Sequence, residues 1–139
     1  MIAFDTDVLT EILLGNTTFV QRAATIPERE QAVPLIVIEE IMRGRLNLIR
    51  QAEAGRTNIS IARAYELFEE TFRDFRRLQI LSHTPQAEVL YQQWRQQGVR
   101  IATHDLRIAA TCVTHATKLI SRNRRDFERI PGLMVEFWE

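Results

Sequence analysis

Lysine is almost absent from this chain: 17 of its 18 basic residues are arginine. Cysteine is as scarce, and a lone Cys112 cannot form an internal disulfide, which fits a reducing cytosol. No apolar run approaches the ~18 residues of a membrane span, and no signal-peptide pattern precedes the first expected strand. With five glycines and four prolines there is no low-complexity segment, linker or internal repeat. A glycine-rich phosphate loop is missing, as are a Gly-x-Ser-x-Gly elbow and a Cys/His dyad signature. P-loop nucleotide hydrolysis and serine-triad acyl transfer are therefore unsupported. His83, His104, His115 and Cys112 have no zinc-finger spacing.

What is present describes an ordinary soluble globule. The 139 residues favour one domain over 1–139, and 45% hydrophobic with 26% charged residues supplies both a core and a surface. Net charge is zero, so bulk charge announces no nucleic-acid binder, but its distribution is uneven. Residues 1–15 carry Asp5, Asp7 and Glu11 and no base. Residues 43–63 carry five arginines against Glu53, and residues 118–129 carry five bases against Asp126 and Glu128. Arginine's planar fork suits phosphate and carboxylate, although such runs are as often solvated surface.

Periodicity places strands at 1–5, 31–36, 79–81, 118–121 and 133–137. Helices are expected at about 6–15, 17–25, 37–53, 58–78, 85–97 and 104–117. Pro34 marks its strand as an edge, and Gly98 is a helix C-cap. Ile61, Tyr65, Phe68, Phe72 and Phe75 form a heptad-like stripe that reads first as a core face, with a partner or dimer face as the alternative. The alternation gives an α/β class with a mostly parallel sheet, in which sites form at the carboxyl ends of strands.

Four acids stand at element junctions: Asp5, Glu40, Asp105 and Asp126. Taken singly, Asp5 and Asp105 read as helix N-caps, Glu40 as a dipole partner in a first helical turn, and Asp126 as a salt-bridge partner of Arg124, Arg125 or Arg129. Asp7 has at most a supporting role. Glu39 and Arg43 are i,i+4 and read as a surface pair. Glu40 stacks over Gly44, which leaves room beside its carboxylate. Ser121 and Asn123 can hydrogen-bond a metal-bound water. Hard oxygen ligands of this kind select Mg²⁺ or Mn²⁺ over Zn²⁺. His104, beside Asp105, is a weaker candidate to line the site, and Cys112 reads as a core residue.

Four motifs in order then carry a family resemblance over nearly the whole chain: Asp5-Thr6-Asp7-Val8-Leu9, Glu40-Ile41-Met42-Arg43-Gly44, Asp105-Leu106-Arg107-Ile108-Ala109-Ala110 and Ser121-Arg122-Asn123-Arg124-Arg125-Asp126-Phe127. The chain resembles the PIN-domain ribonucleases, and within them the VapC-type toxins of toxin–antitoxin modules. Val37 stands where such proteins often have a hydroxyl residue, and whether Asn123 or Asp126 lies nearer metal varies among them. The resemblance implies a single PIN-like α/β/α domain whose carboxylates Asp5, Asp105, Glu40 and Asp126 bind one or two Mg²⁺ (Mn²⁺ being possible). It implies cytoplasmic endoribonuclease activity on structured or single-stranded RNA, often tRNA. Arg43, Arg45, Arg122, Asn123 and Arg124 would hold the RNA, a small antitoxin would mask the enzyme, and a homodimer is expected, with no membrane partner. Two alternatives stay open: a catalytically silent PIN-like binding module, and another metal-dependent phosphodiesterase such as a DNA nuclease.

Overall fold

The computed structural model describes residues 1–139. Five strands form one parallel sheet, β1 (Ile2–Phe4), β2 (Gln31–Pro34), β3 (Gln79–Leu81), β4 (Lys118–Ser121) and β5 (Val135–Phe137), in the order β3-β2-β1-β4-β5. Seven helices flank it: α1 (Thr6–Leu13), α2 (Thr17–Ala24), α3 (Leu35–Glu53), α4 (Ile61–Phe75), α5 (Pro85–Gln96), α6 (Thr103–Thr114) and α7 (Arg124–Phe127). The expected α/β class with a parallel sheet is what forms. No helix is long and apolar enough to cross a membrane.

The central strands are short and apolar because both of their faces are covered. Ala3, Phe4, Ala32, Val33, Leu119 and Ile120 are all buried in one continuous core. Helix α6 feeds the same core with Leu106, Ile108, Ala109, Ala110 and Cys112. Its small residues let the helix approach the sheet closely, and burial pushes the Cys112 thiol pKa upward, leaving it an inert core group.

The strand order decides where a site can form. From β1 the chain steps outward through β2 to β3, then returns to place β4 on the other side of β1. The reversal lies between β1 and β4, and the carboxyl ends of those two strands border the crevice where parallel α/β sheets bind ligands.

Several elements differ from expectation. Strand β2 is interior, paired with β1 and β3. Pro34 is tolerated there because its registered pairing with β1 stops at Ala32; Pro34 ends the strand with φ −63° and ψ 140° and leads into α3. Helix α4 is shorter than 58–78, and its stripe is core only at Phe75, with Phe68 half-buried. Ile61, Tyr65 and Phe72 are each about half exposed, at 47%, 53% and 53%. The buried face of α4 runs through Ala64, Thr71 and Phe75, one step around the helix. Two small residues on that face allow close packing on α3, where Arg45 Nε donates to Thr71 Oγ1 at 2.9 Å. Short α7 was not anticipated. Gly98 follows α5 with φ +85°, the left-handed conformation that glycine adopts without steric cost, just beyond the C-cap Gln97.

Candidate active site

Asp5 ends β1 and begins α1. Its backbone N–H donates to the Ile120 carbonyl of β4 at 2.9 Å, extending the ladder by one bond. Its carboxylate does two jobs. Oδ1 accepts from the Thr6 N–H at 2.7 Å, the cap expected of an Asp here, and Oδ2 accepts from Ser121 Oγ at 2.7 Å. Asp5 is only 4% exposed, so water contributes little to its charged form. Burial first, and the neighbouring Asp7 charge second, push its pKa up to about 7, against the Ser121 and Thr6 hydrogen bonds. Ser121 therefore steadies Asp5 and accepts from the Asn123 N–H at 2.9 Å; it is not a free partner for a metal-bound water.

Glu40 comes in from the other side of β1, on the helix that follows β2. Helix α3 starts at Leu35, so Glu40 lies in the second turn rather than the first, and the helix dipole does not account for it. Its neighbour Glu39 is the surface residue, paired with Arg43 Nη2 at 2.8 Å and 3.5 Å from His104 Nε2. Glu40 Oε1 is buried and has no hydrogen-bond partner. Thr6 Oγ1 is likewise buried without a partner. The Thr6 hydroxyl stands near enough to favour the Glu40 charge, but the pair does not reach hydrogen-bonding geometry. Val37 is buried in the core, so the hydroxyl beside this glutamate comes from Thr6 of α1 instead. Burial and the Asp105 charge raise the Glu40 pKa above its ordinary value, while His104 lowers it.

Asp105 is not a cap. Helix α6 begins at Thr103 after the N-cap Ala102, which puts Asp105 at the third helical position. Its carboxylate has no ion-pair partner and makes no hydrogen bond. Its pKa is raised by burial, then by the charges of Asp126 and Asp7. Asp126 is more engaged. Asn123 Nδ2 donates to its Oδ2 at 3.0 Å, and Arg129 Nη2 pairs with its Oδ1 at 3.3 Å. Asn123 Oδ1 in turn accepts from the Asp126 N–H at 3.4 Å and caps α7, so its amide holds the fourth acid in place.

The four acids, drawn from β1–α1, α3, α6 and α7, thus share one electrostatic neighbourhood, with Asp7 as a fifth charge. As the side chains stand, no three His, Cys, Asp or Glu groups close around a common point. Glu40 and Asp105 break no hydrogen bond when they swing, whereas Asp5 is held from two sides. Hard oxygen donors, an orphaned buried carboxylate oxygen and acids that raise one another's pKa are what a divalent cation relieves, so these residues fit such an ion.

Beside Glu40 opens a polar cavity of about 850 Å³ along α3, lined among others by Arg43, Gly44, Asn47, Arg50 and His104. A Cβ on Gly44 would meet nothing within 4 Å. The open space expected next to Glu40 is there, and His104 does line it. The expected RNA-holding arginines are dispersed. Arg43 borders the cavity but pairs with Glu39. Arg45 braces α4. Arg122 reaches Glu11 at 3.4 Å and lies over Phe19, and Arg124 pairs with Glu128 at 3.0 Å and lies over Phe137. Arg50 and Asn47, which recur at helical spacing from Glu40, were not singled out in the sequence, and Asp7 adds its charge to the surroundings of Asp5 and Asp105.

The PIN domain family model matches residues 2–133. The chain belongs to the PIN domain family. Ribonuclease VapC1 of Rickettsia felis is 51% identical over 39 residues, 28% of this chain and 29% of that protein. The tRNA(fMet)-specific endonuclease VapC of Salmonella typhimurium is 32% identical over 66 residues, 45% of this chain and 50% of that protein. The matched segments thus span half or less of those relatives' own lengths. Among solved structures, FitAcB from Neisseria gonorrhoeae has a TM-score of 0.78 at 21% identity, covering 97% of this chain and 96% of that one. VapBC2 from Rickettsia felis, bound to a promoter DNA fragment, has a TM-score of 0.74 at 20% identity with full coverage of both chains. At such identities the likeness is one of fold. This PIN domain shares the architecture of those proteins from end to end.

Proposed function

We propose that this PIN domain is a metal-dependent endoribonuclease acting in the cytoplasm as the toxin of a toxin–antitoxin pair. The observation that supports the reading is the mutual electrostatic influence of Asp5, Glu40 and Asp105 around the carboxyl end of β1, each carboxyl raised in pKa first by burial and then by neighbouring charge. Asp5 caps α1, but Glu40 and Asp105 make no hydrogen bond and no ion pair that would account for their charge. Asp5, Asp105 and Glu40 would hold Mg²⁺ or Mn²⁺, with Asp126 completing the set. When bound, such an ion lowers the pKa of water and stabilises charge on the phosphoryl oxygens.

The chain's own residues supply the rest. Ser121 Oγ and the Thr6 N–H fix Asp5 in one rotamer, so the strongest ligand is preorganised. The Glu40 carboxylate, free of hydrogen bonds and of raised basicity, would turn toward the groove and take the proton of the attacking water. His104 at the cavity wall offers a donor to a phosphate oxygen. Unpaired RNA suits an open groove better than a duplex does, because its bases are free to be read; tRNA loops are of this kind. The half-exposed Ile61, Tyr65 and Phe72 on α4 support a protein partner, and we assign that face to the antitoxin. The same reading has two copies of the chain pairing as a homodimer.

The test is incubation of the partner-free protein with total RNA in Mg²⁺ or in EDTA, beside Asp5→Asn. Discrete fragments that need Mg²⁺ and vanish in the variant are expected. Equal cutting by both proteins would put the chemistry elsewhere.

A further inference from the structure

The geometry points to a dedicated track for single-stranded RNA along the outer face of α3, in which Arg50 anchors a backbone phosphate and Asn47 meets the edge of an unpaired base. The proposal rests on the endoribonuclease reading above and adds which residues grip the substrate away from the cut.

The cavity that opens at Glu40 does not stop at the carboxylates. It runs past Gly44 and Asn47 to Arg50. A second cavity, of about 360 Å³, is bordered by Thr6, Thr10 and Gln51 and shares Glu40, Gly44 and Asn47 with the first. Ten residues separate Glu40 from Arg50, or about 15 Å along a helix axis, so the groove reaches well beyond one phosphate group. Gly44 leaves its middle open, since even a Cβ there would touch nothing within 4 Å. Six of the nine residues that line the first cavity are polar or charged, and only Met42 and Leu46 are large and apolar.

Charge singles out Arg50. Of the two arginines that line the first cavity, Arg43 is engaged with Glu39. Arg45 on the same helix is engaged with Thr71, and Arg56, which also pairs with no acid, lies beyond the end of α3 and outside the groove's lining. Arg50 is exposed at the groove's far end, pairs with no acid, and makes no side-chain hydrogen bond. Its position in the last turn of α3 gives it a favourable helix dipole but no partner. Asn47 likewise has a free amide, with two donors and one acceptor turned to the groove, which matches the edge of an unstacked base. A guanidinium suits the phosphate that follows it.

The experiment uses the full chain carrying Asp105→Asn, which binds without cutting, and a fluorescent single-stranded RNA oligonucleotide titrated at several NaCl concentrations. Adding Arg50→Gln should weaken binding about tenfold and reduce the magnitude of the slope of log affinity against log salt by about 0.7, the loss of one phosphate contact. Arg50→Lys should recover most of both. Asn47→Ala should leave the salt slope alone and flatten the preference among oligonucleotides of different sequence. A purely helix-capping role for Arg50 would lower the melting temperature and leave the salt slope unchanged, which overturns the proposal. So would a variant that binds RNA like its parent but loses a protein partner. Cleavage by the chain without Asp105→Asn is scored separately: failure to cut RNA sinks the nuclease reading, whereas an unmoved salt slope in an active nuclease sinks only the track.

Discussion

At the scale of single residues, the buried acid at the end of β1 works against folding when no cation is present. The Asp5 carboxyl has a pKa near 7 in the folded chain and an ordinary value of 3.8. Below pH 3.8 it is protonated in both states and contributes nothing to the pH dependence. As pH rises from there to about 7 the unfolded chain releases the proton first, so stability falls across that window and stays low above it. Asp5→Asn lacks this penalty while keeping an acceptor for Thr6, and the Ser121 hydroxyl can turn to accept from the new amide. Thermal melts in EDTA should show the variant pulling ahead of the parent between about pH 4 and 7, by an amount on the order of a few kcal/mol. Parallel curves would mean that Asp5 carries no such strain. Added Mg²⁺ should raise the parent's melting temperature and narrow the gap, since a ligand that binds only the folded state stabilises it. Much of this site was legible in the sequence: Asp5, Glu40 and the space over Gly44 follow from strand ends and helical spacing. What was not legible is which polar neighbours are already engaged. Ser121 and Asn123 looked available for water, yet they hold Asp5 and Asp126, because a hydroxyl or amide gives no sign in sequence of the partner that tertiary contact brings to it.

At the scale of elements, α6 carries Asp105 and is fixed by a clamp that begins two residues later. Arg107 donates twice to Glu88 of α5, at 3.0 and 3.1 Å, and lies 4.4 Å from the Tyr91 ring centre. His83 joins from the loop after β3, 2.8 Å from Glu88 and 3.0 Å from Thr111 Oγ1. Arg107 first and His83 second lower the Glu88 pKa to about 2. An acid depressed in this way contributes stability that is present above its ordinary 4.5 and lost as pH falls toward 2. The Glu88 side chain is 36% exposed, so solvent screening limits the effect to about 1 kcal/mol. Glu88→Gln should therefore melt lower at pH 7 and lose less between pH 4.5 and 2 than the parent does. An unchanged acid limb would show that the clamp is only geometric. The elements themselves were well marked in the sequence, β3 and β4 to the residue, because short apolar runs between polar turns read clearly. Helix α4 was not. Its large side chains and its small ones both recur every three or four residues, so periodicity says which residues share a face but not which face turns inward. Ala64 and Thr71 win the inner position since they let α4 close on α3, and the aromatics Tyr65 and Phe72 are left outside.

For the whole molecule, that inversion separates the two surfaces proposed above as RNA track and partner face. The polar groove from Glu40 to Arg50 lies on α3, while the half-exposed Ile61, Tyr65 and Phe72 lie on the outer side of the helix packed against it. Such a face on an otherwise charged helix gains by being covered, since each large apolar side chain removed from water contributes roughly 1.5–3 kcal/mol. Substituting it is therefore expected to act on association rather than on folding or catalysis. Tyr65→Glu combined with Phe72→Glu should leave the unfolding free energy within about 1 kcal/mol of the parent's, because neither side chain is in the core. RNA cleavage should persist, because neither residue lines the groove. Capture of a co-expressed antitoxin, measured by co-purification, should fall at least tenfold, and with it the protection of the host cell that the antitoxin confers. If the doubly substituted chain instead co-purifies as well as the parent but cuts poorly, the stripe on α4 serves the catalytic face and the antitoxin must grip elsewhere. Two independent faces on adjacent helices predict loss of partner binding with cleavage unchanged, and that pair of outcomes is the signature that distinguishes them.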